Sequence, residues 1–316
     1  MRLRLLLSYH YHRKTDLADL VQELGGDVDL FADSGAYSAA TTGATIRLAD
    51  YAAWLHHWAP LWTVRAGLDV IGDHEATARN TAALTDAGCD VLPTFHLGSP
   101  WPVLEDLCST HQYVALGGMA LHAVGGAKQR PLMAWLVKCF RIAAEHGTVF
   151  HGFGMTSARL VKNLPFYSID SSSYLFGQRW GLSYLWNARA WRMESIPFRN
   201  PAEVRPHANL FTQHGIHPAR VINENFLRPG TPNATADRTD ITAVSARAYQ
   251  FMEQSLTTRH QVAPPPLPRG TDPGTKVYLA LGGASESDIT PLRALQRTAA
   301  GFPTTPEHPH RKDTLT

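Results

Sequence analysis

Three aspartates close short apolar runs in this chain. "VDLF" leads into Asp33, Ser34 and Gly35 in "FADSGAYSA"; Asp69 lies in "GLDVIGD", with Asp73 just after it; and Asp170 ends "FYSID" ahead of three serines. A carboxylate at the end of a buried strand stands at the rim of a sheet, where loops begin and ligands bind. Two carboxylates in different surroundings can divide a reaction, one attacking an electrophilic carbon and the other moving a proton. Further strand ends carry His96 in "LPTFHLG", Gly117 and Gly118 in "VALGGMA", and Gly152 and Gly154 in "HGFGMTS". Glycine at such places lets a flat ligand approach the backbone closely. An aspartate before glycine also serves turns and helix caps, which accounts for any one of the three as well as catalysis does. Three of them ending separate apolar runs point to one shared mouth.

The elements that would position these residues alternate. The apolar runs are "LRLLLSY", "VDLFADSG", "VRAGLDVIG", "DVLPTFHLG", "YVALGGMA", "TVFHGFGM" and "FYSIDSSS". Between them, "DLADLVQELGG", "RLADYAAWLHHWA", "DHEATARNTAALTDAG", "PWPVLEDLCSTH", "PLMAWLVKCFRIAAEHG" and "SARLVKNLP" have helical spacing. Strand and helix in regular alternation imply parallel strands with crossover helices. The expected fold is α/β, a TIM-type (β/α)8 barrel that need not be regular, with a C-terminal extension; a doubly wound open sheet is the alternative. The eighth strand is either "ARAWRMESIP" or "KVYLALGG". Residues 1–262 are expected to form the barrel, with an aromatic- and Arg-rich insertion at about 174–235 and a returning helix at "DITAVSARAYQFMEQSLTTRHQ". A Pro-rich linker over 263–275 and a C-terminal segment with a flexible tail over 276–316 follow.

Composition narrows the class. Hydrophobic residues make up 44% of the 316 and charged residues 18%, as in an ordinary globular chain. The net charge of +2 means that any basic footprint for nucleic acid has to be local. Cys89, Cys108 and Cys139 are sparse, odd in number and not in zinc-finger spacing, which argues against a disulfide framework or a Cys-rich structural zinc site. "MRLRLLLSYHYHRK" lacks a signal-peptide cleavage pattern, and no run approaches the roughly 20 apolar residues of a membrane span, so a cytoplasmic protein without a membrane partner is expected. Adjacent His56 and His57 are poor geometry for one metal, "DHEATARN" lacks the second histidine of a zinc-protease helix, and "LGGAS" is not followed by the Lys-Ser/Thr of a phosphate loop.

The order "DSGAYS", "GLDVIGD", "PTFHLG", "ALGGMA", "HGFGMTSARLVKNLP" and "IDSSSY", over roughly residues 28 to 180, resembles the tRNA-guanine transglycosylase superfamily. "SIDSSSY" is very similar to the F-D-S-A-S-Y segment of archaeal members. The resemblance implies base exchange at a nucleotide's anomeric carbon. It makes Asp170 the nucleophile and Asp33 the general acid/base. Asp69 falls on the strand whose aspartate reads the purine edge, and Gly117 and Gly118 match backbone lying against the base. His96 stands where the family usually has Gln, and Gly152 and Gly154 match the glycine strand before the nucleophile. Ser34, Gly35 and Met119 belong to the same matched segments and are counted with the base-binding set. The chemistry is self-consistent: exchange with retention takes two displacements, with the sugar held on a carboxylate between them.

The tRNA enzymes of this family carry a zinc site of three cysteines and a histidine after the nucleophile. This chain has no cysteine after Cys139, so the resemblance is closer to compact zinc-free DNA-guanine transglycosylases of phages and DNA-modification clusters, working in the host cytoplasm if phage-encoded. The expected partners are DNA, with tRNA as the alternative, and a free 7-deazaguanine base; no cofactor and no metal are expected. Candidate nucleic-acid contacts are Arg13 and Lys14; Lys128 and Arg130; and Arg179, Trp180, Arg189 and Arg192 in the aromatic-rich insertion, where packing is an equally good reading of the aromatics. A barrel hydrolase holding a metal on Asp33, Asp69, His96 and Asp170, and a non-catalytic nucleic-acid binder, are the alternatives from other classes.

Overall fold

A computed structural model of the chain describes residues 2–119, 126–269 and 272–299. Its strands are built by a period-two pattern that buries both faces. In β1 (Leu3–Ser8), Leu3, Leu5 and Leu7 join the larger core with the helices, while Leu6 belongs to a second core on the opposite face. In β2 (Val28–Asp33), Val28, Leu30 and Ala32 face the helices and Phe31 faces the inner core. Alternation then puts Ser8 and Asp33 on the inner face at the strand ends, paired in register. Burial of both faces is what a parallel sheet with crossover helices demands.

The remaining parallel strands are β3 (Trp62–Arg65), β4 (Thr94–His96), β5 (Tyr113–Gly117), β6 (Val149–Gly152), β7 (Ser168–Ser171) and β10 (Lys276–Leu281). They form one eight-stranded sheet in the order β3-β2-β1-β10-β7-β6-β5-β4. The sheet is curled and flanked by helices, compatible with a TIM-like barrel but without a continuous ladder between its edge strands. Beyond those edges a single parallel bridge joins Ala66 to Leu92, with Leu92 N–H donating to Arg65 O at 2.6 Å and Gly67 N–H to Leu92 O at 3.0 Å.

Of the two candidates for the eighth strand, Lys276–Leu281 fills the place between β1 and β7, pairing Leu5 with Leu279 and Asp170 with Tyr278. The expected boundary after residue 262 is therefore corrected: the stretch that follows the Pro-rich segment is central to the sheet. Its sequence, "KVYLAL", is a buried apolar run as clear as β1, but the prolines before it read as a domain end. The prolines instead let the chain turn under the sheet, where Val262 and Leu267 pack on the inner core. Below that core, Arg4 meets Asp29 and donates Nε to both Glu253 oxygens at 3.0 and 3.1 Å, and Glu253 also accepts Val277 N–H at 2.8 Å. This buried network ties β1, β2, β10 and the long helix Ala234–His260 together at the strand starts.

The other candidate, Arg192–Pro197, is β9 and pairs antiparallel with β8 (Leu182–Asn187) in a separate hairpin. The insertion that holds it has its own core of Leu185, Ile196, Phe198, Phe211, Val221 and Phe226 against Ile241 and Val244 of the long helix. Among the described residues, no helix is long and apolar enough to cross a membrane. The expected tail lies outside the described residues.

Because β10 sits between β1 and β7, a chain ending at residue 262 exposes the edges of both. Such a truncation should show no cooperative thermal transition by circular dichroism; a two-state transition near that of the full chain would mean that the sheet closes without β10.

Candidate active site

The inner-face residues at the C-terminal strand ends converge. Asp33 ends β2, His96 ends β4, Gly117 ends β5 and Asp170 lies one residue before the end of β7. Asp69 reaches in from the loop after β3, and its Oδ2 lies 3.2 Å from His96 Nε2. The His96 ring lies across Gly117: a Cβ there would stand 2.8 Å from His96 Cδ2. Gly35 holds the turn after Asp33 at φ +76°, where a Cβ would also meet the Ser8 hydroxyl at 2.5 Å. That turn aims Gly35 N–H back at Asp33 Oδ2, 3.0 Å away.

Asp69 and Asp170 are close enough to act on Asp33 electrostatically. Burial, then the negative charges of Asp69 and Asp170, push the Asp33 carboxyl up to about 7, against the pull of the Gly35 and Ser34 amides. Asp33 thus exchanges its proton near neutrality.

Asp170 is held differently. Gly154 N–H donates to its Oδ1 at 2.8 Å, and His151 Nε2 stands 3.4 Å from the same oxygen, at ion-pair distance without hydrogen-bond geometry. His151 is fully buried, its ring 4.5 Å from both Phe31 and Phe153. Burial lowers its pKa while Asp170 opposes the shift, so the ring is neutral. His151 Nδ1 is 2.5 Å from Ser168 Oγ, which in turn meets the Tyr113 hydroxyl. Burial keeps Tyr113 protonated. One assignment is consistent along the chain: Tyr113 donates to Ser168, Ser168 donates to Nδ1, and the His151 Nε2–H is left facing Asp170 without a hydrogen bond.

Four of the buried polar atoms left without partners lie here. Ser8 Oγ, Asp69 Oδ1, Thr94 Oγ1 and His151 Nε2 are buried and unpaired, all at this end of the sheet. Buried polar groups are normally satisfied, so such a cluster marks a place for a polar ligand. Among the described residues, no group of three or more His, Cys, Asp or Glu side chains is arranged to hold a metal ion.

Several expected site residues do other work. Met119 is fully buried among the helix-facing core and does not face the mouth. Gly152 points away too: a Cβ there would meet Met155 Cβ and Phe166 Cε1, both at 2.9 Å, so its smallness serves packing. The segment alternates as a strand does, which turns His151 inward and Gly152 outward. Gly154 orients Asp170 through its N–H, and the Ser34 hydroxyl accepts from Ala36 N–H at 3.4 Å in the local turn. Asp73 caps the helix His74–Asp86, accepting Ala76 N–H at 2.9 Å. Gly118, at φ +76°, lies near Leu97. His151, which the sequence offers only as a possible strand-end histidine for the metal-hydrolase alternative, joins the site instead beside Asp170; the signal is its place two residues before Phe153 on the inward register of an apolar strand.

The expected nucleic-acid contacts divide. Arg13 and Lys14 are exposed in the loop after β1, and Trp180 is 68% exposed in the loop after β7. Arg130 is exposed near the start of the helix Gly126–His146. The side chains of Lys128 and Arg179 lie outside the described residues. Arg189 and Arg192 lie at the tip of the β8–β9 hairpin, where Trp191 packs 5.5 Å from both Lys162 and Arg259. Arg259 is in the last turn of the helix that leads to the start of β10, so this tip lies toward the strand starts, away from the mouth. Arg192 is engaged with Glu194 at 2.7 Å. Trp186 is buried and donates to Ser255 Oγ at 2.8 Å, so packing accounts for these insertion aromatics.

Compared with models of known protein families, with curated proteins and with solved structures, the chain matches none.

A carboxyl raised to about 7 in the fold and near 3.9 unfolded holds a proton in the native state that the unfolded state gives up. Asp33 therefore lowers stability as pH rises from about 4 to about 7, and the cost is fully present above that window. Calorimetry should find Asp33→Asn more thermostable than the parent at pH 8, with the difference gone at pH 4. Equal melting temperatures at both pH values would mean that Asp33 carries no such strain.

Proposed function

We propose that this chain is a DNA-guanine transglycosylase on a TIM-type barrel, exchanging guanine in DNA for a 7-deazaguanine derivative through an aspartyl–sugar ester. The observation that carries the reading is the unlike treatment of two carboxyls in one mouth. Asp33 is pushed up to about 7, which suits a group that gives and takes a proton at neutral pH. Asp170 is oriented by a backbone N–H and a neutral histidine, which suits a nucleophile. The single bridge between Ala66 and Leu92 supports reading the curled sheet as a closed barrel.

In the first displacement an Asp170 oxygen attacks C1′ of the target nucleotide. Both orienting contacts fall on Oδ1, so we assign the attack to Oδ2. The bond from C1′ to the purine nitrogen breaks, its electron pair stays with guanine, and protonated Asp33 supplies the proton. In the second, ionised Asp33 takes the N–H proton of the incoming base. That nitrogen attacks C1′, the ester breaks, and Asp170 leaves as a carboxylate. Two inversions give net retention. Asp69 is placed to accept hydrogen bonds from the amino and ring N–H groups of a guanine-like edge, with Oδ1 unpaired and Oδ2 against His96. DNA is favoured over tRNA because residues after Cys139 include no cysteine to build the tRNA enzymes' zinc site.

The test is incorporation of a labelled 7-deazaguanine into guanine-containing DNA. Asp170→Ala and Asp170→Asn should both abolish it. Asp33→Asn should retain DNA binding and lose on the order of 10²–10⁴ in rate. Asp69→Ala should mainly relax the choice between bases, since it removes an acceptor for the purine edge. Full activity in Asp170→Ala would overturn the nucleophile, and incorporation into tRNA but never into DNA would overturn the substrate. His151→Gln keeps a donor where His151→Phe does not, so Gln should retain more of the rate than Phe at unchanged DNA affinity; equal rates in both would remove the histidine from the mechanism.

A further inference from the structure

All the large apolar side chains recorded as exposed among the described residues lie beyond C-terminal strand ends. They are Tyr11 at 49%, Tyr37 at 56%, Val70 at 36%, Ile71 at 52%, Phe176 at 36% and Trp180 at 68%. Their parent strands are β1, β2, β3 and β7, which with β10 form an unbroken run of five strands in the sheet order. Side chains of this kind normally go inside, and a patch of them around a polar mouth marks an interaction surface.

The loops after β1, β2 and β7 are joined to one another, in part through the end of β10. His10 stands against the turn at Gly35, with its Cβ 2.7 Å from where a Gly35 Cβ would be, and its ring packs on Tyr11 at 4.8 Å. His12 Nε2 bonds the Leu281 carbonyl at 2.9 Å, joining the loop after β1 to the end of β10. Leu175 lies 3.6 Å from where a Gly282 Cβ would be, joining β10 to the loop after β7. Cations are interleaved: Arg13 and Lys14 are exposed next to Tyr11, and the Arg47 side chain is 77% exposed on the segment after Tyr37. Neighbouring carboxylates are largely occupied. Asp16 caps the helix Leu17–Glu23, Asp50 lies 3.8 Å from Arg47, and Asp288 accepts from Ser285.

We infer that this stretch of rim is a stacking platform for the unpaired nucleotides flanking the target, so that the substrate strand is bound single-stranded. The inference rests on the transglycosylase reading and specifies its substrate. Exposed aromatics gain only from bases whose faces are free, and bases in a duplex are stacked on one another. A phosphate-driven grip would need many more cations than this rim and a net charge of +2 supply. Tyr11 and Trp180 lie on the loops after β1 and β7, the two strands that flank β10.

The experiment is fluorescence anisotropy with one labelled guanine-containing oligonucleotide, free and annealed to its complement, run beside base exchange on the same two substrates. The full chain should bind the single strand at least ten-fold more tightly than the duplex. Trp180→Ala and Tyr11→Ala should each weaken single-strand binding by roughly ten-fold, as loss of one stacking partner does. Arg189→Ala, at the distant hairpin tip, should change nothing. Both rim residues are exposed, so neither substitution threatens folding. Equal affinity for duplex and single strand, unchanged binding in both rim variants, or no binding of either oligonucleotide would overturn the platform. Exchange that proceeds without rim dependence would overturn the platform and leave the reaction standing. Rim-dependent single-strand binding without exchange would support the platform and count against the reaction.

Discussion

Asp33, Asp69 and Asp170 are forced to share one poorly solvated mouth, and much of this structure follows from accommodating them. Burial disfavours a charged carboxylate, and each neighbour of like sign disfavours it again. Both effects act on Asp33, and its carboxyl is pushed up to about 7. Asp69 has the His96 imidazole 3.2 Å away, and Asp170 has the Gly154 amide and the edge of His151. The site therefore separates three chemically identical groups by what stands next to each of them.

The frame that allows this is stiff and its stabilising contacts lie elsewhere. The inner core of Leu6, Phe31, Val64, Tyr113 and Tyr278 fills the sheet below the mouth. Beneath it, Arg4, Asp29 and Glu253 lock the strand starts with paired, hydrogen-bonded charges. That network is satisfied where the mouth is not: Ser8, Asp69, Thr94 and His151 keep unpaired polar atoms at the opposite end. The division matches a general pattern, in which stability is built at one face of such sheets and chemistry at the other.

Much of this was legible in the sequence because the strands are short, apolar and end in distinctive residues. Seven of the eight parallel strands, and the placement of Asp33, His96, Gly117 and Asp170 at their ends, follow from runs such as "VDLFAD" and "FYSID". The eighth was ambiguous because "PPPLP" reads as a boundary while the chain uses it to pass under the sheet. Facing was the harder problem. The motifs group Gly152 and Met119 with the site, yet period-two alternation and the bend at Gly118 send them to the outer core. Arg189 and Arg192 pose a different problem: local composition suggests a nucleic-acid surface, while tertiary packing of Trp191 takes the hairpin tip away from the mouth.

The central claim is that Asp170 becomes covalently attached to a sugar. The direct measurement is mass spectrometry of the adduct trapped by denaturing the protein during turnover with guanine-containing DNA and no incoming base, followed by digestion and peptide mapping. The account predicts an abasic-sugar ester on the peptide spanning Ser168–Ser171, located on Asp170, with free guanine released in equal amount. An adduct on Asp33, or guanine release with no protein–sugar bond at all, would contradict it.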